Sequence, residues 1–148
     1  ILTRQTVEKF TKLAKDKGVE LDVSVEPNIR VNVDSRGFTQ ILQSTLDNAI
    51  KFTSKGGKVG LDIKSKGGKV VVRVKDDGAG IPKQRLETLF KPFARGTDIL
   101  QFDFEGLGID LYMDKIIAER WGGDIAIKSV EGKGTDVEVT LIGARIGV

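Results

Sequence analysis

The succession of apolar periods along the chain points to a two-layer α/β sandwich, with helices packed on one face of a mixed β-sheet. Periods of 3.6 and of 2 follow one another as helix, strands, helix, hairpin, loop, helix, hairpin. That order differs from the regular β-α alternation of a doubly wound sheet. No internal repeat, low-complexity tract or linker interrupts the 148 residues, so a single domain over residues 1–148 is expected.

Val7, Phe10, Leu13 and Ala14 recur at helical spacing, and Gly18 ends that helix. Leu21, Val23 and Val25 alternate as a strand up to Pro27, and Ile29, Val31 and Val33 make a short second strand. Asp34 or Ser35 caps a helix over residues 36–52 that buries Phe38, Ile41, Leu42, Thr45, Leu46 and Ala49. Ser54-Lys55-Gly56-Gly57 breaks it. Val59, Leu61 and Ile63 mark a third strand, and Lys66-Gly67-Gly68 turns the chain into a fourth over residues 69–75. Pro82 opens a short helix to residue 90, and residues 91–105 have no period and read as a loop. A helix over residues 107–120 follows, with Ile109, Met113, Ile116 and Ile117 on one face, and Gly122-Gly123 stops it. Ile125 and Ile127 begin a fifth strand, Glu131-Gly132-Lys133-Gly134 is a turn, and Val137, Val139 and Leu141 form a sixth.

Composition narrows the function. A 39% hydrophobic fraction at this length suffices for a real core. With Cys 0 there is neither a disulfide framework nor a thiolate metal site, which favours an intracellular setting. The net charge of +3, from 24 basic and 21 acidic residues scattered along the chain, gives no basis for a nucleic-acid partner. No apolar run approaches the ~18–20 residues that span a bilayer, so no membrane segment is expected in this chain. The chain opens without Met inside what reads as a helix, which suggests a piece of a longer protein. His is 0, so no imidazole is present to act as a base, bind a metal or carry a phosphoryl group.

Three stretches carry chemistry. Asp76-Asp77-Gly78-Ala79-Gly80-Ile81-Pro82 follows the strand Val70-Val71-Val72-Arg73-Val74, so a carboxylate stands at a strand end before two glycines. Glycine leaves no Cβ between the chain and whatever lies against it. A flat ligand could lie over Gly78 and Gly80 while Asp76 accepts a hydrogen bond from an exocyclic amine. On the long helix, Ser44, Asp47, Asn48 and Lys51 fall at i, i+3, i+4 and i+7 and share a face, with the buried residues on the other side. An Asn amide oxygen is a neutral Mg²⁺ ligand, and a Lys one turn later is a point charge for phosphate. Glu105-Gly106-Leu107-Gly108 lies where the loop enters a helix, and free amides at a helix N-terminus bind anions. Each stretch alone also fits a plain turn, a solvated helix face or a loop–helix junction.

In order and combination, these stretches resemble the nucleotide-binding boxes of the GHKL ATPase superfamily in its histidine kinase form. Residues 46–53 resemble the asparagine box, residues 76–82 the first glycine box, Leu89-Phe90-Lys91-Pro92-Phe93 the phenylalanine box, and Gly106-Leu107-Gly108-Ile109 the second glycine box. Gly122-Gly123-Asp124-Ile125 and Gly132-Lys133-Gly134-Thr135 match the closing strand-turn-strand. The resemblance runs from about Val19 to Leu141.

The resemblance implies a Bergerat fold that binds ATP and Mg²⁺. It implies that Asp76 binds the adenine amine, that Gly78, Gly80, Ile81, Phe52 and Thr135 line the base and ribose, and that Gly106, Leu107 and Gly108 meet the phosphates. Asn48 and Lys51 would carry the catalytic roles, Asn48 as the Mg²⁺ ligand and Lys51 on phosphate. Residues 91–105 would be a lid anchored by Phe90 and Phe93, with the apolar run Ile99 to Phe104 docking on the domain or a partner. Two positions depart from the family pattern. Ser44 stands where a second Asn is usual, and its hydroxyl would reach the ion through water. Phe104 stands where the second glycine box usually opens with Gly. The implied activity is γ-phosphoryl transfer to a histidine on a separate dimerisation domain of the same kinase, with a response regulator acting downstream. The setting would be cytoplasmic, including the cytoplasmic part of a membrane-anchored sensor. The hydrolytic relatives usually carry Glu where Ser44 stands, which places them behind. A serine kinase of the anti-sigma type and a degenerate partner-binding domain are the alternatives.

Overall fold

The computed structural model describes residues 2–27, 29, 35–86 and 108–142. Its elements are α1 (Leu2–Lys17), β1 (Glu20–Val25), α2 (Ser35–Phe52), β2 (Lys58–Lys66), β3 (Lys69–Asp76), the single turn α3 (Lys83–Leu86), α4 (Gly108–Arg120), β4 (Asp124–Val130) and β5 (Gly134–Ile142). The strands form one sheet in the order β1-β2-β3-β5-β4. β1 runs parallel to β2, across the crossover made by α2, and every other pair is antiparallel. The expected two-layer sandwich with a mixed sheet is therefore the observed architecture.

The inward face of the sheet is a set of cross-strand rows. Val72 pairs with Val139 and Val139 with Ile125; one row on, Val74 pairs with Val137 and Val137 with Ile127. Together with Val59, Leu61 and Ile63 of β2, these residues meet Ile41, Leu42, Leu46 and Ala49 of α2, all buried. The strict period of 2 in β2, β3 and β5 fixes this face, because a one-residue slip would turn every valine outward. The outer face carries Asp62, Arg73, Lys75, Asp136 and Glu138. There the Arg73 guanidinium grips Asp136 and holds its carboxyl below the usual range. Pairing of Lys66 with Lys69 leaves Gly67 and Gly68 as a two-residue hairpin turn, both at positive φ.

Helices α1 and α4 end alike. Val19 N–H bonds Ala14 O at 2.8 Å, Gly123 N–H bonds Ala118 O at 2.7 Å, and Gly18 and Gly122 supply the left-handed residue between.

Several expectations need correction. Among the described side chains of α1, Thr6, Phe10 and Ala14 are buried, while Leu13 is 43% exposed. Val23 and Val25 alternate as a strand should, but β1 is hydrogen-bonded to β2 alone among the described strands and leaves both valines exposed. On α4 the side chains of Ile109 and Met113 lie outside the described residues; from there on Asp114 and Ala118 are buried, Ile117 is half-buried and Ile116 exposed. The polar stripe of α2 is not one solvated face, since Ser44 and Asn48 are buried and Asp47 and Lys51 exposed. The proposed second strand at residues 29–33 lies outside the described residues except for Ile29, which is in no strand. The loop over residues 91–105 and the end of the helix after Pro82 also lie outside them. No helix among the described residues is long and apolar enough to cross a membrane.

Candidate functional site

The inward rows of the sheet change character at one end. After Val74–Val137–Ile127 comes Asp76–Thr135–Ser129, three polar side chains in register across β3, β5 and β4. Asp76 inherits its inward direction from the alternation that buries Val70, Val72 and Val74. Burial pushes the Asp76 carboxyl up from its ordinary value, backbone N–H bonds from Gly78 and Thr135 oppose this, and the Asp77 charge adds to the rise. The Gly78 bond is 2.9 Å. Asp77 points the other way and accepts from Lys58 N–H at 2.9 Å, closing the start of β2. The two adjacent carboxylates thus have separate tasks.

The loop after Asp76 is stitched on both sides. Ala79 N–H bonds the Phe52 carbonyl at the end of α2 at 3.1 Å, and Ala79 O accepts from Gly132 N–H at 2.6 Å. A Cβ at Gly78 would run into the Phe52 carbonyl, and one at Gly80 into the Val130 carbonyl. Gly80 also has φ +73°, a conformation that favours glycine. The side on which a Cβ would project is therefore filled by the chain's own backbone at both positions. Ile81 is buried, and its N–H bonds Ser129 Oγ at 2.7 Å. Ser129 Oγ also lies 2.9 Å from Gly134 O and 2.8 Å from Thr135 Oγ1. Sequence reading missed Ser129. Its signal is a hydroxyl placed on the inward phase set by Ile125 and Ile127.

Asn48 lies on α2, four residues before Phe52. It is 9% exposed, and neither its amide oxygen nor its amide nitrogen has a hydrogen-bond partner among the described residues. Buried polar atoms are rarely left so, and each one costs its desolvation. A neutral oxygen donor in this state fits a hard cation such as Mg²⁺. Phe52 is half-buried and packs on the core. Lys51 leaves its side chain exposed, while its carbonyl and that of Ile50 accept from Lys17 Nζ at 2.6 and 2.7 Å. A cation at the last carbonyls of α2 suits the negative end of its dipole.

Ser44 is not turned to solvent. It is buried, and its hydroxyl donates to the carboxylate of Asp114 on α4, which is fully buried. Asp114 was also missed, because a charged residue amid Met113, Ile116 and Ile117 reads as the outer face of a helix. Gly108 is the first residue of α4, and Gly106, Leu107 and Phe104 lie outside the described residues, as do Phe90 and Phe93. The structure thus brings Asp76, Gly78, Gly80, Ile81 and Thr135 together at the sheet end, with the Phe52 carbonyl against Gly78.

The chain is similar to known proteins over most of its length. Residues 33–144 match the family described as histidine kinase-, DNA gyrase B-, and HSP90-like ATPase. An uncharacterized sensor-like histidine kinase of Rhizobium meliloti is 40% identical over 129 residues, covering 86% of this chain and 25% of that protein. The sensor histidine kinase WalK of Bacillus subtilis is 32% identical over 138 residues, covering 91% of this chain and 22% of that protein. The chain therefore spans about a quarter of the length of these relatives. Among solved structures, full-length ShkA in complex with AMPPNP superposes with a TM-score of 0.79 at 26% identity, over 99% of this chain and 30% of that one. The mycobacterial sensor histidine kinase MprB does so with a TM-score of 0.76 at 25% identity, over 98% of this chain and 95% of that one.

Proposed function

The chain belongs to the histidine kinase-, DNA gyrase B-, and HSP90-like ATPase family, as an ATP-binding domain of the histidine kinase type, and from that premise we propose that it binds Mg²⁺-ATP and delivers the γ-phosphoryl group to a histidine on a separate dimerisation domain. The observation that carries the reading is the pairing of two unlike polar sites on one core. Asp76 is a half-buried carboxylate at the end of β3, and Asn48 is a buried amide with no partner among the described residues.

Asp76 accepts the adenine amine, and its bonds from Gly78 and Thr135 fix the carboxylate for that purpose. Ile81 and Phe52 supply apolar walls to the base. Asn48 would hold Mg²⁺ through its amide oxygen, and the ion would there supply positive charge to the phosphates. Exposed Lys51 reaches for phosphate oxygens, as does the head of α4 at Gly108. Phosphoryl transfer asks a protein mainly for positioning and charge neutralisation, which these groups supply. The phosphoacceptor must come from elsewhere, since this chain has no histidine. We place the domain, residues 1–148, in the cytoplasmic part of a sensor kinase, with a response regulator receiving the phosphoryl group later.

Mixing the chain with the dimerisation domain of its own parent kinase and labelled ATP tests this. The expected product is an acid-labile phosphoryl group on that domain, formed slowly because tethering, worth millimolar effective concentration, is missing. ATP binding without transfer at high concentrations of both pieces contradicts the kinase reading. Transfer to serine would point to the anti-sigma type.

A further inference from the structure

The buried carboxylate of Asp114 has no part in the scheme above, yet it is among the most enclosed polar groups described, at 0% exposure. Burying a carboxylate is costly unless it is bonded, so its place needs a reason. Ser44, buried on α2, donates a hydrogen bond to it. That bond joins the helix that carries Asn48 to the helix headed by Gly108. Ser44 stands one turn before Asn48, about 6 Å along the axis, and Asp114 stands about 9 Å into α4 from Gly108. At those distances the pair lies too far along each helix to replace Asn48 or Gly108, and near enough to set how the two ends face each other.

The sequence of α4 shows what the bond competes with. Among the residues of α4 whose side chains are described, Ile116 is the large apolar residue left outside. Asp114 and Ile116 differ by about 200° around the helix, so both cannot be buried on one side. Observed burial favours Asp114 and Ala118 and leaves Ile116 40% exposed. Ile117 is half-buried on the core beside buried Ala118, and the bond from Ser44 to Asp114 adds a polar anchor to that apolar contact. Fixing a register is the best-attested use of a buried polar pair.

We propose that Ser44 and Asp114 are a positioning pair that locks the rotation and height of α4 against α2, and so sets the distance between Asn48 and Gly108 across which a triphosphate is held. Ser44 then acts through α4 and is not a ligand of the cation. The proposal rests on the reading that Asn48 and the head of α4 serve the phosphate end of a nucleotide.

The test compares adenosine, which reports the Asp76 end alone, with ATP measured both in Mg²⁺ and in EDTA. Ser44→Ala should weaken ATP by about tenfold in Mg²⁺, and by a smaller but measurable factor in EDTA, where Gly108 alone meets the phosphates. Adenosine affinity should stay unchanged. Ser44→Thr, which keeps the hydroxyl, should restore ATP binding. Asp114→Asn, of the same shape but uncharged, should give a smaller loss of the same pattern, and it carries the comparison if Ser44→Ala does not fold. Combining Ser44→Ala with Asp114→Asn should cost no more than Ser44→Ala alone. Equal loss of adenosine and ATP would make the pair merely structural and overturn the proposal. A loss confined to Mg²⁺-ATP would overturn it in favour of Ser44 as a metal ligand. Failure of the unaltered chain to bind ATP at all would instead remove the nucleotide reading beneath it, and the proposal with it.

Discussion

Asp76 and Asn48 stand at the margin of the same apolar core and are held in opposite ways. Asp76 is over-determined. Its strand register pairs it with Thr135, two backbone N–H groups bond its carboxylate, and the loop beyond it is tied to Phe52 on one side and to Ser129 and Gly132 on the other. Asn48 has a helix beneath it and no polar partner among the described residues. The sheet end of the site is thus built before any ligand arrives, while the helix end keeps buried polar atoms in reserve. Rigid sheet geometry suits recognition of a flat base of fixed shape. An amide without a partner suits a group that comes and goes with the substrate.

The largest effect that would break this contrast is expected at Gly78. Gly78→Ala drives a methyl group into the Phe52 carbonyl, and overpacking of this kind costs on the order of 1–3 kcal/mol. The loop must move, so thermal stability and adenosine affinity should fall together. Calorimetry and adenosine titration check it, and a stable variant with normal affinity would show that the loop is not tightly stitched.

Asp76 should separate function from stability. Asp76→Ala should weaken ATP by about tenfold to a hundredfold, the worth of one hydrogen bond to a charged group. Asp76→Asn should lose affinity as well, yet raise Tm at pH 7. The sign follows from the upward-shifted carboxyl: its ionised form is disfavoured in the folded state, so it costs stability above its folded pKa. The gain in Tm should vanish at a pH below the unfolded value of about 3.9, where both states are protonated. A Tm difference that does not change with pH would sink this account of Asp76. ATP affinity of the unaltered chain should likewise fall as the pH drops through the folded pKa.

A smaller effect is expected at Ser129. Ser129→Ala removes the acceptor of Ile81 N–H, worth ~1 kcal/mol or about fivefold in adenosine affinity. Ser129→Thr should retain the bond and the affinity. Equal behaviour of the two variants would mean that the Ser129 hydroxyl is incidental.

Most of the fold was legible because its sheet follows a simple rule. β2, β3 and β5 alternate strictly, and Gly67-Gly68 supplies the only chemistry a two-residue hairpin needs, so register and inward face follow from spacing alone. Asp76 was legible as the polar end of an apolar alternation. What periodicity could not reveal is where a tertiary partner reverses its sense. Asp114 is inside and bonded to Ser44 on α2, 70 positions away in the chain, while Ile116 is outside. The exposure of Leu13 and Val23 was not legible, since nothing in a local pattern tells how far a neighbouring helix or strand extends. Ser129 escaped because a serine in a strand has many ordinary roles, and only register with Thr135 gives it this one.

The most direct measurement is ATP titration into the unaltered chain and into Asn48→Ala, each in Mg²⁺ and in EDTA. The account predicts tight binding only for the unaltered chain in Mg²⁺, with the two proteins nearly equal in EDTA. It also predicts that Asn48→Ala, which removes two buried atoms without partners, is no less stable than the unaltered chain without nucleotide. Equal loss of affinity in both conditions, together with a lower Tm, would mean that Asn48 is a structural residue and would contradict the claim that the helix end of the site is reserved for a cation.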